Sequence, residues 1–277
     1  VASERNRCQK IYTDQIWDTV VDDAGTTFQT YLLEEIQKFL RELKVMNLLA
    51  DERQIALSAR EKEELNALAD SYYESMSDAD RAYTGATRDD VYTMYEAYHR
   101  ANRLVDALTQ NVNLEVSDSE ARVITVCEAS FSQESEAQAF LNRVTEDGVD
   151  FATAVKESNL EGSAEKSVGH GERSKAYEDA VFALESGQIS PVFQDGDLWY
   201  VVKCVNDYDE NATLDRKQKM ALERKNQAFR QIYDSFAEDH QVELNGSFWE
   251  KLSLKEGTDS QTDNFFEQYR QMMDGEN

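Results

Sequence analysis

Apolar residues recur at three- and four-residue steps through most of the first 110 residues, which is the spacing of amphipathic helices. Two helix starts carry a capping pattern, in which a hydroxyl residue precedes an acidic one by three positions: Ser58 with Glu61, and Thr87 with Asp90. The pattern predicts helix throughout residues 13 to about 110. One such apolar stripe comprises Phe28, Leu32, Leu33, Ile36, Phe39, Leu40 and Leu43.

The pattern changes near residue 120, where the short β-branched run 122–127 predicts a strand. Two helices are predicted next, over residues 135–147 and 150–158. The dipeptide Asp195-Gly196 is typical of a hairpin turn, and a second strand is predicted over residues 198–205. These elements indicate a compact α+β unit.

After Tyr208 the helical period returns in a long amphipathic helix that begins near Thr213, and an acidic tail closes the chain. A lone helix of this kind cannot bury its apolar stripe by itself, so we expect it to pack against the N-terminal helices. The predicted fold class is therefore α+β, with a discontinuous all-helical domain, 1–118 with 208–277, that flanks an α+β domain over 119–207.

Acidic residues outnumber basic ones by 55 to 29, and the formal net charge is −26. A chain of this charge repels polyphosphate, which excludes bulk electrostatic binding to nucleic acid. The three cysteines and three histidines show no metal-ligand spacing, and nucleotide-binding and hydrolase motifs are missing, so no metal and no cofactor is expected. No run of about 18 apolar residues is present that could span a membrane.

The α+β unit contains a run of motifs that resembles the parvulin-type peptidyl-prolyl isomerase family. Residues 169–184 are similar without gaps to that family's G-x-G-x-M-x-x-x-F-E-x-A-x-F-x-L, and residues 186–192 resemble its G-x-I-S-P-V. Residues 150–158 resemble the family's D-F-A helix, and residues 196–203 stand where its closing strand belongs. The resemblance implies an FKBP-like α+β domain with a small antiparallel sheet.

A helical segment before such a unit and a long helix after it resemble the secreted foldases of the PrsA and SurA type. That resemblance implies an extracytoplasmic protein at a bacterial cell surface or in the periplasm, whose helical domain is a chaperone for unfolded or nascent exported polypeptides. Gram-positive foldases of this type are commonly lipoproteins. We therefore expect an N-terminal lipid anchor upstream of Val1, since Cys8 has no lipobox before it.

The family's active-site positions are mostly substituted in this sequence. Its two histidines fall at Val123 and Tyr200, its proline-cup Met at Arg173, and its cup Phe at Tyr177. A second Phe of the family's cup is retained as Phe182. The position of the family's Cys or Asp falls near Leu160.

Two interpretations of these positions stay open. In one, Tyr177, Phe182 and Tyr200 form an aromatic cup whose hydroxyls replace imidazoles, and the protein is an active isomerase. In the other, the site is degenerate and isomerase activity is weak or lost. The degenerate site predicts that the Arg173 guanidinium lies against Tyr177 or pairs with a carboxylate such as Glu172 or Glu178.

Two histidines and two cysteines are expected to have structural rather than catalytic roles. His170 lies between two glycines and is expected to face solvent, and His99 is expected to be half-buried. Cys127 and Cys204 fall on predicted strands and are expected to be two packed thiols, because disulfides between strands need unusual geometry.

The N-terminal helices carry more tyrosine and methionine than one buried stripe needs. We expect part of this set to form an exposed surface that binds unfolded polypeptides, while core packing is the alternative for each residue. A further alternative is a non-catalytic surface scaffold that binds one folded partner. The candidate client-binding residues are Tyr72, Tyr73, Met76, Tyr92, Met94, Tyr95 and Tyr98.

Limited proteolysis tests the predicted domain boundaries. Cleavage is expected near Asp118 or Tyr208, and mass spectrometry should find residues 119–207 as a resistant fragment. If no such fragment survives and calorimetry shows one transition for the whole chain, these boundaries are wrong.

Overall fold

A computed structural model describes residues 1–12, 14–158, 165–257 and 259–274. The chain divides into unit 1, Val1–Asn111 with Ala228–Asn277, and unit 2, Val112–Gln227. The boundaries predicted at 118 and 208 remain a prediction that proteolysis decides.

In the described residues of unit 1, four helices begin at a residue whose side chain caps the helix start. Ser58 accepts from the backbone N–H of Glu61, whose carboxylate accepts from the N–H of Ser58, and Thr87 and Asp90 form the same reciprocal pair. Both predicted caps are confirmed. The helices are α1 (Ala2–Ile11), a 3-10 turn (Asp14–Asp18), α2 (Phe28–Glu52), α3 (Ala59–Ser75), α4 (Asp78–Thr84) and α5 (Arg88–Thr109).

Helix is not continuous over the predicted region. Residues 19–27 contain a turn closed by a bridge between Val20 and Thr27, and α1 lies before the region in which helix was predicted. Beyond α5 come α6 (Asp118–Ala121), α7 (Glu134–Thr145), α8 (Phe151–Glu157), α9 (Lys175–Val181), α10 (Glu210–Asp239), α11 (Gly246–Trp249) and α12 (Phe265–Asp274).

The expected acidic tail is in fact the helix α12, and it completes the main aromatic core of unit 1. Phe265 stacks on Tyr95 with ring centroids 4.1 Å apart and planes 3° apart. The Tyr95 hydroxyl donates to the backbone carbonyl of Phe265 at 2.9 Å. Tyr269, one turn further, is also buried and its hydroxyl contacts His99 Nδ1 at 2.9 Å. His99 is therefore fully buried rather than half-buried.

Buried polar groups fix the segment that leads into α12. Arg5 of α1 is fully buried and donates to the carbonyls of Leu254 and Gly257, both at 2.9 Å. The Asp80 carboxylate of α4 accepts from the backbone N–H groups of Gln261 and Thr262 at 2.7 and 3.0 Å. Because a buried donor or acceptor without a partner is costly, these bonds specify the path of the segment.

The described residues of unit 2 contain a four-stranded antiparallel sheet of order β2-β1-β4-β3. The α+β prediction is confirmed, and so is the hairpin turn: Gly196 has φ 61° between β3 and β4, a conformation that glycine adopts without strain. The strands are β1 (Val123–Phe131), β2 (Lys166–Gly169), β3 (Phe193–Asp195) and β4 (Leu198–Asn206).

The two faces of this sheet have different partners. One face, with Cys127 and Ala129, packs against Phe140 of α7 and Phe151 of α8. The other face packs against α9 through Ile124, Val126, Val168, Tyr177, Val181, Tyr200 and Val202.

Both cysteines of the central strands are buried and free, as expected. Cys127 pairs across the sheet with Lys203, and Cys204 pairs with Val126. Side chains alternate along a strand, so the two thiols point to opposite faces and cannot approach each other.

Removal of the Phe265 ring tests the role of α12. The variant Phe265→Ala should lower the free energy of unfolding by about 3 kcal/mol or more, because it leaves a cavity beside Tyr95. Urea denaturation followed by near-UV circular dichroism measures the change. The exposed Arg270 of the same helix gives the control, and Arg270→Ala should stay within about 0.5 kcal/mol of the parent. Equal stability of both variants would contradict this role.

Candidate functional site

The sheet face that packs against α9 gathers the candidate site. Ile124 and Val126 lie on this face, and Glu128 follows two residues later on the same strand. Val123 directly precedes Ile124 and therefore points to the other face, and its N–H donates to Thr213 Oγ1 at 3.0 Å. The structure thus does not bring Val123 to the site as expected; the β1 residue there is Glu128.

Glu128 is the centre of a buried polar cluster. Its Oε2 accepts from the Tyr177 hydroxyl at 2.7 Å, and its Oε1 accepts from Lys166 Nζ at 2.6 Å. Arg173 Nη1 lies 3.8 Å from Oε2. Every polar group that the cluster takes out of water is thereby paired, which burial requires.

This environment sets the protonation of the cluster. Burial alone would raise the pKa of the Glu128 carboxyl, but the hydrogen bonds from Lys166 and Tyr177 and the nearby Arg173 outweigh it and hold that pKa below its ordinary value. Burial, together with the bond to Glu128, raises the pKa of Tyr177. The carboxylate is therefore ionised and the phenol is its donor.

Arg173 lies over the site's central aromatic ring, that of Tyr177. Its guanidinium carbon is 4.1 Å from the Tyr177 ring centroid and 5.9 Å from that of Tyr200. The predicted contact with Tyr177 is confirmed. The carboxylate partner, however, is Glu128 rather than Glu172 or Glu178, because Glu128 faces the guanidinium from β1.

Glu178 does not pair with the Arg173 side chain but hydrogen-bonds to the backbone of the loop that contains Arg173. Its Oε1 accepts from the backbone N–H groups of Gly171 and Arg173 at 2.7 and 3.1 Å. Gly171 has φ 84°, so the loop needs glycine there. Ser174 then caps α9 by accepting from the N–H of Tyr177. Loop and cap together fix Arg173 over the ring.

Three rings enclose the apolar side of the site. Tyr177 lies 5.7 Å from both Phe193 and Tyr200, and Phe193 stacks on Tyr200 at the same distance. Phe193 is thus a site residue that the sequence analysis missed. Phe182 packs at the edge of this group, where His170 stacks on it at 3.7 Å. His170 is therefore a stacking residue rather than one that only faces solvent.

Leu160, the remaining position from the resemblance, lies outside the described residues. Within those residues, no group of three or more potential metal ligands occurs, and no helix is both long and apolar enough to cross a membrane.

The candidate client-binding residues lie in unit 1 and are less exposed than expected. Tyr72, Met76 and Tyr95 are core residues with 5%, 3% and 0% exposure, so the expected exposure is wrong for these three. For Tyr72 and Tyr95 the reason is α12, whose Phe265 ring packs against both. The other four are partly buried against the same core: Tyr73, Tyr92, Met94 and Tyr98.

A cavity of about 610 Å³ opens beside this core within unit 1. Three of the candidate residues, Tyr72, Met76 and Met94, line it, and Phe265 and Phe266 of α12 line it as well. Its volume is in the range of pockets that hold ligands of drug size.

No protein-family model and no curated protein matches the sequence. The solved structures similar to the chain include a peptidylprolyl isomerase (PrsA) from Bacillus cereus, with 16% identity and a TM-score of 0.39 over 91% of this chain and 98% of that one. A foldase protein PrsA from Streptococcus pneumoniae has 15% identity and a TM-score of 0.36 over 84% of this chain and 97% of that one. A structure from work on SurA-like chaperones of Campylobacter jejuni has 11% identity and a TM-score of 0.30 over 78% of this chain and 89% of that one.

The low pKa of Glu128 predicts how the cluster responds to pH. A group whose pKa is depressed by folding stabilises the fold above its unfolded pKa, about 4.3 for Glu, and this contribution is lost as pH falls through the folded value. Glu128→Gln should therefore be less stable than the parent at pH 7, and the difference should shrink below about pH 4.

Chemical denaturation from pH 7 down to pH 3 measures this difference. The exposed Glu134 provides the matched control, since Glu134→Gln removes a carboxylate that lies outside the cluster. Parallel stability curves for the parent and Glu128→Gln would mean that Glu128 does not hold a stabilising charge.

Proposed function

We propose that this protein is an extracytoplasmic folding factor of the PrsA and SurA type, in which chaperone activity is retained and peptidyl-prolyl isomerase activity is weak or lost. The observation that supports weak or lost isomerase activity is the position of the Arg173 guanidinium, 4.1 Å from the Tyr177 ring centroid and 3.8 Å from Glu128. The motifs over residues 169–192 support the parvulin-like origin of the unit.

The filled site explains why catalysis would be lost. Isomerisation has to overcome a barrier of about 18–20 kcal/mol for rotation about the X–Pro bond. A proline ring needs an apolar cup, but the ring face of Tyr177 is covered by Arg173. Displacing Arg173 would separate it from Glu128 and leave a buried carboxylate with one cation fewer, which is unfavourable.

The proposed chaperone activity belongs to the helical domain. Its support is the 610 Å³ cavity, whose walls are largely aromatic and aliphatic and include three of the candidate client-binding residues. We place its clients among unfolded or nascent exported polypeptides. An N-terminal lipid anchor, location at a bacterial cell surface or in the periplasm, and the domain division 1–118 with 208–277 around 119–207 are parts of the same proposal.

An active isomerase is the second candidate function. Tyr177, Phe193 and Tyr200 do form a group of three aromatic rings, as an aromatic cup requires. The Tyr177 hydroxyl, however, already donates to Glu128, so it is not free to polarise a substrate amide.

Two assays on the same preparation test the proposed function. The protein should suppress aggregation of a reduced, unfolded client at near-stoichiometric amounts, because it offers apolar binding surface. It should leave the rate of X–Pro exchange in a tetrapeptide at the thermal background, which is set by spontaneous isomerisation over tens of seconds.

Each assay has an outcome that contradicts the proposal. Absence of suppression at tenfold excess would remove the chaperone function, and tight binding of one folded partner instead would favour a scaffold. Exchange clearly above background, and lost in Tyr177→Ala or Tyr200→Ala, would establish an active isomerase. If the site is degenerate, Arg173→Met alone should stay at background, because Val123 and Tyr200 still stand at the positions of the family's two histidines.

A further inference from the structure

The cavity of unit 1 combines an apolar wall with an uneven distribution of charge. Phe39 and Leu40 of α2, Met94 of α5 and Phe266 of α12 contribute partly buried apolar side chains to it. Met94 is unbranched and can adapt its shape to different apolar groups. Tyr31 at the edge is 47% exposed, so the cavity is accessible from solvent.

The carboxylates that line this cavity are not balanced by cations. Among the described lining residues, Arg7 is the only basic side chain, and it is paired with Glu4 at 2.6 Å. Asp90 accepts hydrogen bonds from Thr87 and has no cationic partner within the described ranges.

Glu35 is the least satisfied of these carboxylates. It is exposed on α2, it lines the cavity, and no side chain or backbone group in the described part of the chain bonds to it. An unpaired carboxylate at the edge of an apolar cavity favours a ligand that brings a positive charge next to an apolar group.

We propose that this cavity binds extended polypeptide segments in which a bulky apolar side chain lies next to lysine or arginine. The apolar side chain enters between Leu40, Met94 and Phe266, and the neighbouring cation pairs with Glu35. The inference rests on the proposed chaperone function and specifies its client class. The chain's net charge of −26 acts in the same direction, because it attracts basic segments and repels acidic ones.

Three dye-labelled peptides test this preference by fluorescence anisotropy. They share a central pair of Phe and Leu residues, and they carry two lysines, two glutamines or two glutamates beside it. The lysine peptide should bind most tightly and the glutamate peptide least tightly. The difference should decrease as the salt concentration rises, because exposed charge pairs are screened.

Two adjacent glutamates of α2 give a matched pair of variants. Glu35→Lys should weaken binding of the lysine peptide by about threefold to fivefold, the effect of losing one exposed ion pair. Glu34→Lys makes the same change in net charge at an exposed position outside the cavity lining, and it should retain most of the parent's affinity. Leu40→Trp, which fills part of the cavity, should weaken the binding of all three peptides. Circular dichroism confirms that each variant is folded.

Several outcomes overturn this inference. It fails if none of the peptides binds, if Glu34→Lys and Glu35→Lys have equal effects, or if folded Leu40→Trp binds as the parent does. Aggregation suppression by the same variants separates it from the proposed function. If the parent and both cavity variants suppress aggregation equally, the chaperone function stands and this client site is wrong. If the peptides bind as expected but aggregation continues, the site stands and the chaperone function is wrong.

Discussion

The buried carboxylate of Glu128 is the constraint on which the site of unit 2 depends. A carboxylate with 8% exposure needs partners, and it obtains them from Tyr177, Lys166 and Arg173. These three residues come from α9, β2 and the loop before α9, so one charge ties the sheet to its covering helix. The same pairing places a guanidinium on the ring where an apolar cup would be needed. The packing of α9 on the sheet and the position of Arg173 over the Tyr177 ring thus have one cause.

In unit 1, distant segments are held together by packed aromatic rings as well as by buried charged side chains. Its aromatic core would lie open without α12, whose Phe265 stacks on Tyr95. Arg5 and Asp80 bond to the segment before α12 through backbone carbonyls and N–H groups. Such bonds specify a path of the backbone rather than a particular side-chain sequence. Part of the apolar surface near this core stays uncovered and forms the 610 Å³ cavity.

The two units therefore differ in what they offer a polypeptide. In unit 2 the polar atoms of the cluster are satisfied within the protein, so a client would have to break existing bonds to enter. In unit 1 the cavity presents apolar walls and the carboxylate of Glu35, which has no partner among the described residues, so a bound segment would not have to break such bonds. This difference in satisfied polar groups is the reason that the proposed client binding is placed in the helical unit.

Local patterns were sufficient for the α+β class, the capping pairs at Ser58 and Thr87 and the turn at Gly196, because each depends on residues that are close in sequence. The contact of Arg173 with Tyr177 was expected from the positions that the resemblance gives these two residues. Only the tertiary structure decided that Glu128 and not Val123 faces the site, since strand register and face are set by pairing with distant strands. It alone decided that Tyr72, Met76 and Tyr95 are core. Tyr72 and Tyr95, for example, are covered by Phe265, which lies 170 residues beyond Tyr95 along the chain. Burial is a property of what packs on a residue, and composition cannot specify which distant segment that will be.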